Sequence, residues 1–445
     1  MSAHPKAILS NGPMTAFQAV VIAILTVLNM IDGFDVLSMS FTAPVIAKEW
    51  GVEPAALGIL LSSGLAGMSI GSLFLSPIAD VIGRRALVNL STLILSIGMF
   101  ASAGAQGVID LAIYRFVTGL GVGGVLSAGN TLLAEYAPAR WRDLSISAMV
   151  VGYPIGAIIG GSIAAYLISA FGWRAAFMFG GIASSIVLPF SFLYLPESLD
   201  FLLSGKTKNG LARVNAVLKR AGAAPIARLP EIAPEDRATK AVIGVVQPQY
   251  LPGTILICTS YFTLMLSFYF VLSWTPKNVV DLGFSVEEGI YASVLLNAGG
   301  ILGGLALGYL AGRSHARSVA PYMLAFLFLA IAGYGAVHEG RLAVMTGAFI
   351  AGFFMIGSMC GLYIIVPQIY PARVRNTGTG LAIGFGRMGA VVGPYLGGLL
   401  IASGWERFAY YSVLAIPVLV AALAVRRIPL FEEHAGNLRA GYAET

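Results

Sequence analysis

Twelve runs of about twenty predominantly apolar residues follow one another along the chain, and each is long enough to cross a bilayer as an α-helix. Charged residues make up only 11% of the sequence, against roughly 25% in soluble domains. Because backbone polar groups find no water inside a membrane, such segments cross it as helices. The sequence therefore predicts an all-α polytopic membrane protein, with spans at 17–44, 55–79, 86–106, 109–133, 144–170, 175–195, 251–275, 287–311, 319–337, 341–367, 377–402 and 407–425.

The lysines and arginines predict the orientation of these spans. If both termini are cytoplasmic, twenty basic residues fall in cytoplasmic segments, five in outer loops and two inside the spans. Basic residues are retained on the cytoplasmic side of a membrane, so this asymmetry favours that topology. It also accounts for the net charge of +6 without a nucleic-acid partner. The N-terminal segment shows no small-residue cleavage site and is interpreted as leading into an uncleaved first helix.

The longest polar stretch, 197–249, divides the spans into two groups of six. Helical periodicity at Leu211, Val214, Val217 and Leu218 predicts amphipathic helices on the cytoplasmic face. We therefore expect an N-terminal six-helix bundle at 1–196, a cytoplasmic linker at 197–249, and a C-terminal six-helix bundle with a cytoplasmic tail at 250–445.

The two groups of spans resemble each other in sequence. The motif PARWR at 138–142 recurs as PARVR at 371–375, and the pair GW at 172–173 recurs at 404–405. The two offsets are 233 and 232 residues, and each match falls in the equivalent loop. The sequence therefore predicts a duplicated six-helix unit. Parallel repeats of this kind are the arrangement of a large class of secondary transporters.

Four charged residues lie inside the predicted spans: Asp32, Asp35, Arg115 and Arg387. A charge at the centre of a membrane helix costs at least about 2.5–3.5 kcal/mol and marks an ion or substrate pathway by default. None of the four recurs at the equivalent position of the other half, which favours a role in function rather than in the fold. The two aspartates lie three residues apart and share one helical face. From the rise of a helix, Asp35 and Arg115 both lie roughly 9–14 Å below the outer boundary, close enough in depth to pair.

The loop between spans two and three, DVIGRR at 80–85, resembles the signature loop of the major facilitator superfamily. A tight turn needs its glycine, and the acidic and basic residues suit neighbouring helix ends. The resemblance implies a conformational latch, for which the candidate residues are Asp80, Gly83, Arg84, Arg85, Glu135 and Arg140.

A second set of motifs is more specific. The sequence DGFD at 32–35, together with Arg115, PES at 196–198 and YPARVR at 370–375, resembles the aromatic acid:proton symporter family within that superfamily. The resemblance covers essentially the whole chain. It implies that Asp32 and Asp35 couple transport to protons and that Arg387 and Arg115 bind a substrate carboxylate. If Asp35 pairs with Arg115, Asp32 is the better proton carrier, although two coupled acids leave that assignment open.

The resemblance implies import of an aromatic monocarboxylate such as benzoate or hydroxybenzoate with protons, by a monomer in the bacterial inner membrane and without a cofactor or bound metal. Aromatic side chains commonly wall such pockets, and the candidates are Phe34, Tyr153, Tyr261, Tyr269, Phe353 and Phe385. Trp274, near the outer end of span seven, is interpreted as an interfacial anchor.

Other functions stay open at this point. A proton-coupled transporter of a non-aromatic organic acid or a sugar would use the same framework, and Arg387 would serve any carboxylate. A drug:proton antiporter is less favoured, because two buried arginines balance the two buried aspartates. An enzyme is not expected, since the four histidines fall in tails or loops and no catalytic or metal-binding cluster is evident.

Overall fold

The structure is a computed structural model that describes residues 5–203, 209–229 and 247–429, together with Val245. Several basic residues counted for orientation lie outside the described residues, namely Lys206, Lys208, Arg237, Lys240 and Arg439, as does the predicted C-terminal tail.

Twelve helices in the described residues are long and apolar enough to cross a membrane, so the predicted fold class and the twelve spans are confirmed. Shorter helices lie at the N-terminus and after the sixth span. The helices are α1 Pro5–Asn11, α2 Ala16–Trp50, α3 Pro54–Ile82, α4 Arg84–Ala103, α5 Val108–Tyr136, α6 Arg142–Phe171, α7 Trp173–Tyr194, α8 Leu199–Leu203, α9 Gly210–Arg220, α10 Leu251–Asp281, α11 Val286–Ser314, α12 Ala316–Ala336, α13 Arg341–Ile365, α14 Ala372–Ala402 and α15 Arg407–Arg427.

The chain divides into two compact units. One comprises Met1–Ser38 and Ser63–Glu235, and the other comprises Met39–Ser62 and Asp236–Thr445. Most of each unit comes from one predicted six-helix half, but the end of α2 and the start of α3 cluster with the second half.

Close helix packing recurs in both units at the predicted offset. In the first unit, a Cβ on Gly156 of α6 would lie closer than 3.0 Å to the carbonyl oxygen of Met30 in α2. In the second, a Cβ on Gly389 of α14 would meet the carbonyl oxygen of Phe262 in α10 in the same way. The corresponding residues are 233 and 232 positions apart. Small residues let membrane helices approach this closely, and the shared contacts support the predicted duplication.

A second helix pair shows the same duplication. Gly119 in α5 leaves no room for a Cβ against the carbonyl oxygen of Gly64 in α3, and Gly352 in α13 does the same against Leu296 in α11. The repeated GW pairs also have a structural reason. Gly172 and Gly404 adopt φ angles of 82° and 77°, which glycine adopts without steric strain.

The helices that follow the sixth span pack within the first unit. Val214, Val217 and Leu218 of α9 are buried in a core that also contains Tyr136 of α5 and Leu199 of α8. The predicted amphipathic helix is therefore present, and its apolar face is covered by protein.

The prediction for Trp274 is wrong. We expected this residue to be an interfacial anchor, but it is only 1% exposed, and its indole Nε1 donates a hydrogen bond to the carbonyl oxygen of Pro394 at 2.9 Å. Trp274 joins α10 to α14 inside the second unit. Position near the end of a span predicted its depth but not the direction in which its side chain points.

Candidate functional site

Asp32 and Asp35 lie on α2 inside the first unit, and both are buried, with 3% and 1% of their surfaces exposed. The intervening Gly33 allows α2 to touch α6, because a Cβ there would lie closer than 3.0 Å to the carbonyl oxygen of Tyr153. One turn earlier, Asn29 donates a hydrogen bond to the carbonyl oxygen of Met149 in α6. The two carboxyl groups are thus held on a helix whose backbone is fixed against its neighbour.

Asp35 forms a buried ion pair with Arg115 of α5, as the depth argument predicted. Arg115 Nη1 donates to Oδ1 of Asp35 at 2.8 Å, and Nη2 donates to Oδ2 at 3.1 Å. Nη2 also donates to the backbone carbonyl oxygen of Asp35 at 2.9 Å. This two-pronged geometry is the strong form of the arginine–carboxylate interaction.

The remaining surroundings of Arg115 are mainly apolar. Its Nη1 contacts the sulfur of Met99 at 3.2 Å, and its guanidinium lies 5.5 Å from the ring centre of Phe177. Gly64 of α3 lies against it from a third side. Only 2% of Arg115 is exposed. Because both terminal nitrogens of Arg115 already donate to Asp35, a substrate carboxylate would have to displace Asp35 to bind Arg115.

Arg387 lies on α14 in the second unit and is half-buried. Its neighbour Gly386 packs against Tyr261 of α10, whose Cβ would lie 2.9 Å from a Cβ at the glycine. Tyr261 in turn packs edge-on against Tyr363 of α13. The second unit therefore gathers an arginine and two tyrosines from three helices.

The predicted aromatic wall residues divide into two groups. Phe34 is buried in the packing of the first unit, where it contacts Phe179 with ring centres 5.3 Å apart and fills the space left by Gly160. Tyr153 is half-buried on α6. These positions put Phe34 among packing residues and leave Tyr153 as the more accessible member of the pair.

The other aromatic candidates lie in the second unit. Tyr261 is buried, and its ring packs edge-on against Tyr363 with centres 5.9 Å apart. The rest are exposed or half-buried and pair with neighbouring rings: Phe385 with Phe262 at 5.8 Å, Tyr269 with Phe268 at 5.3 Å, and Phe353 with Phe354 at 5.2 Å. Sequence reasoning missed Tyr363, which only the packing of α13 against α10 brings beside Tyr261.

The candidate latch forms a compact network at one end of the first unit. Arg84 pairs with Glu135 and donates a hydrogen bond to the hydroxyl of Ser198 at 2.7 Å. Glu135 accepts two more hydrogen bonds at 2.9 Å, from the Ser198 hydroxyl and from the backbone N–H of Leu199. Gly83, Arg84 and Glu135 of the predicted set thus lie together.

The PES motif supplies the rest of this network. Glu197 accepts a hydrogen bond from the backbone N–H of Arg85 at 3.0 Å, and its carboxylate fills the space beside Gly83, where φ is 98°. By contrast, Asp80 and Arg140 are exposed. Asp80 forms no ion pair with the described residues, and Arg140 stacks over Trp141 at 5.6 Å.

The family model described as Major Facilitator Superfamily matches residues 24–381 and 257–441. The chain belongs to the Major Facilitator Superfamily. Within this superfamily, it is 32% identical to the 4-hydroxybenzoate transporter PcaK of Acinetobacter baylyi over 432 residues, which are 95% of this chain and 94% of that protein. It is 31% identical to the gallate transporter of Pseudomonas putida over 94% of this chain and 93% of that protein.

A solved structure of the superfamily shows the same fold. The inward open conformation of the xylose transporter XylE from E. coli matches with a TM-score of 0.73 and 15% identity, over 93% of this chain and 97% of that one. As a member of the Major Facilitator Superfamily, this protein is a multi-pass transporter of the bacterial cell membrane and not an enzyme. The resemblance drawn from its motifs is confirmed.

Proposed function

We propose that the protein is a proton-coupled symporter that imports an aromatic monocarboxylate by alternating access. The observation that carries the proposal is similarity along nearly the whole chain to relatives named as transporters of 4-hydroxybenzoate, gallate and benzoate. Another relative is named as a transporter of 3-(3-hydroxy-phenyl)propionate, which also carries a carboxylate and an aromatic ring. All of these substrates join a carboxylate to an aromatic ring.

Arg387 is assigned to the substrate carboxylate. A guanidinium offers two parallel N–H donors to a carboxylate, and Tyr261 and Phe262 stand on the helix that packs against α14. Arg115 is assigned a different role, because both of its terminal nitrogens already donate to Asp35. Its contribution is to hold the Asp35 carboxylate in place.

Asp32 is assigned as the proton carrier. It is buried on the same helix as Asp35, and the contacts of Arg115 described above go to Asp35. A monoanion that moves with one proton carries no net charge. A response to membrane potential therefore requires a second proton, since each charge moved contributes about 2.3 kcal/mol per 100 mV.

The proposal includes the arrangement of the chain in the membrane. Both termini are cytoplasmic, the bundles comprise 1–196 and 250–445 with a linker at 197–249, and the transporter works as a monomer. The network of Arg84, Glu135 and Gly83 then lies on the cytoplasmic side as the latch.

The test is uptake of labelled 4-hydroxybenzoate into proteoliposomes with an imposed pH gradient, acid outside. We expect accumulation by the wild-type protein, competed by benzoate and other aromatic acids but not by quinate or xylose. Asp32→Asn should abolish accumulation driven by the gradient while retaining exchange of labelled for unlabelled substrate. Asp110→Asn, an exposed acid at the start of α5, is the matched control and should behave as wild type. Full gradient-driven uptake by Asp32→Asn would show that the assignment is wrong.

A further inference from the structure

Tyr261 presents a buried phenol that packs against Gly386, the neighbour of Arg387. None of its surface is exposed, and its hydroxyl has no hydrogen-bond partner among the described residues. The hydroxyl of Tyr334, in a different cluster, likewise has no hydrogen-bond partner among the described residues. Buried polar groups in proteins are nearly always hydrogen-bonded, and an unpaired one is unfavourable relative to an apolar group of the same shape. Phenylalanine would fill position 261 more favourably in the conformation described. The hydroxyl of Tyr261 therefore indicates a polar partner that the described residues do not supply.

Tyr363 is an exposed neighbour of Tyr261. Its ring packs edge-on against that of Tyr261, with centres 5.9 Å apart. It keeps 42% of its surface exposed. An exposed side chain also changes rotamer readily, on the picosecond to nanosecond timescale.

Arg387 completes the arrangement. Its neighbour Gly386 packs directly against Tyr261, which in turn packs against Tyr363. A guanidinium, an accessible phenol and a buried phenol therefore lie in one cluster contributed by α14, α13 and α10. A ligand that carried a carboxylate at one end and a hydroxyl elsewhere on a flat ring would match all three groups.

We propose that Tyr261 and Tyr363 determine specificity by recognising a ring hydroxyl of the substrate, with Tyr363 turning aside so that this hydroxyl pairs with that of Tyr261. The inference rests on the proposed function, because it takes Arg387 as the ligand of the carboxylate. A site built to pair with a substrate hydroxyl rejects the analogue that lacks one, since its own polar group is then left unpaired. The protein should therefore prefer hydroxybenzoates to benzoate.

The experiment measures inhibition of labelled 4-hydroxybenzoate uptake by benzoate, 3-hydroxybenzoate and 4-hydroxybenzoate, and takes the ratio of half-inhibitory concentrations for each hydroxybenzoate against benzoate. In Tyr261→Phe, we expect this ratio to rise about tenfold for the hydroxybenzoate whose hydroxyl is recognised, equivalent to about 1.4 kcal/mol. Comparison of 3-hydroxybenzoate with 4-hydroxybenzoate identifies the ring position at which the hydroxyl is recognised. Tyr363→Phe should raise the same ratio, because the proposal places the Tyr363 phenol beside the same substrate hydroxyl.

Tyr334→Phe is the matched control. Tyr334 is a buried phenol of the same unit, but it packs against Tyr411 at 5.6 Å and lies under Arg407 at 5.0 Å, in a different cluster from Arg387. Its substitution should leave the ratio at the wild-type value. Because the Tyr261 hydroxyl has no partner among the described residues, Tyr261→Phe should also fold at least as well as wild type, which a melting curve in detergent checks.

The outcomes separate the two proposals. If wild type takes up aromatic acids and Tyr261→Phe shifts all three inhibitors equally or not at all, the specificity inference is wrong while the proposed function stands. If no aromatic acid inhibits or is taken up by wild type, the proposed function fails and the inference fails with it.

Discussion

Substitution of Asp35 tests how much the buried ion pair contributes to the first unit. In Asp35→Asn, the side chain keeps its size but loses the charge that balances the Arg115 guanidinium. Removal of one partner from a buried pair costs about 3–5 kcal/mol, because the other charge stays buried. We expect the lower end, about 3 kcal/mol, since the backbone carbonyl of Asp35 would still accept from Nη2 of Arg115 at 2.9 Å.

The double variant Asp35→Leu with Arg115→Met separates this cost from a packing defect. Replacement of a buried pair by apolar residues of similar volume is often neutral or stabilising, so the free energy of unfolding should return to within about 1 kcal/mol of wild type. The transporter should nevertheless lose gradient-driven uptake, because the coupling site has lost a carboxylate.

Unfolding in mixed micelles titrated with SDS measures the free energies of these variants. Asp110→Asn, an exposed acid on the same helix as Arg115, is the control and should change stability by less than about 0.5 kcal/mol. If Asp35→Asn is as stable as wild type, or if the double variant is as unstable as the single one, the pair does not carry the energy we assign to it.

Two further predictions concern glycines whose surroundings differ. Gly389→Ala should destabilise the second unit by about 1–3 kcal/mol, since the new methyl group would overlap the carbonyl oxygen of Phe262. Gly384→Ala on the same helix is the control: a Cβ there would have nothing within 4 Å, so this variant should be neutral in the same SDS titration. Equal effects of the two would contradict the close packing. Gly83→Ala should cost about 1–3 kcal/mol from its backbone conformation alone, with φ 98° and ψ 151°, and more from overlap with the Glu197 carboxylate. The double variant Gly83→Ala with Glu197→Ala should keep the loss of stability that comes from the backbone conformation of residue 83. If its melting temperature returned fully to the wild-type value, backbone strain would not be the cause.

The features that could be predicted from the sequence depend on regularities that run along the chain. Apolar run length predicted the twelve spans, because a bilayer admits few alternatives to a helix. The fixed rise of a helix predicted that Asp35 and Arg115 lie at one depth, and their ion pair is present. The offset of 233 residues predicted a duplication, and the glycine contacts at Gly156 and Gly389 recur at that offset.

The features that could not be predicted depend on which face of each helix meets a neighbour. Trp274 has the depth of an interfacial anchor but points inward to Pro394. Glu197 belongs to the PES motif, and only the structure brings its carboxylate to Gly83. Tyr363 carried no signal in the sequence, since one tyrosine in an apolar span is equally compatible with a lipid-facing position.

The duplication also separates the residues that build the fold from those that distinguish the halves. Glycine contacts between equivalent helices occur in both units, so they serve the framework. The charges do not recur: Arg115 pairs with Asp35 inside the first unit, and its equivalent in the second is the buried Ala348. Arg387 instead lies in the second unit near two tyrosines from neighbouring helices. Because a carboxylate already engages Arg115, whereas two tyrosines lie near Arg387, we infer that the first unit handles protons and the second recognises the substrate.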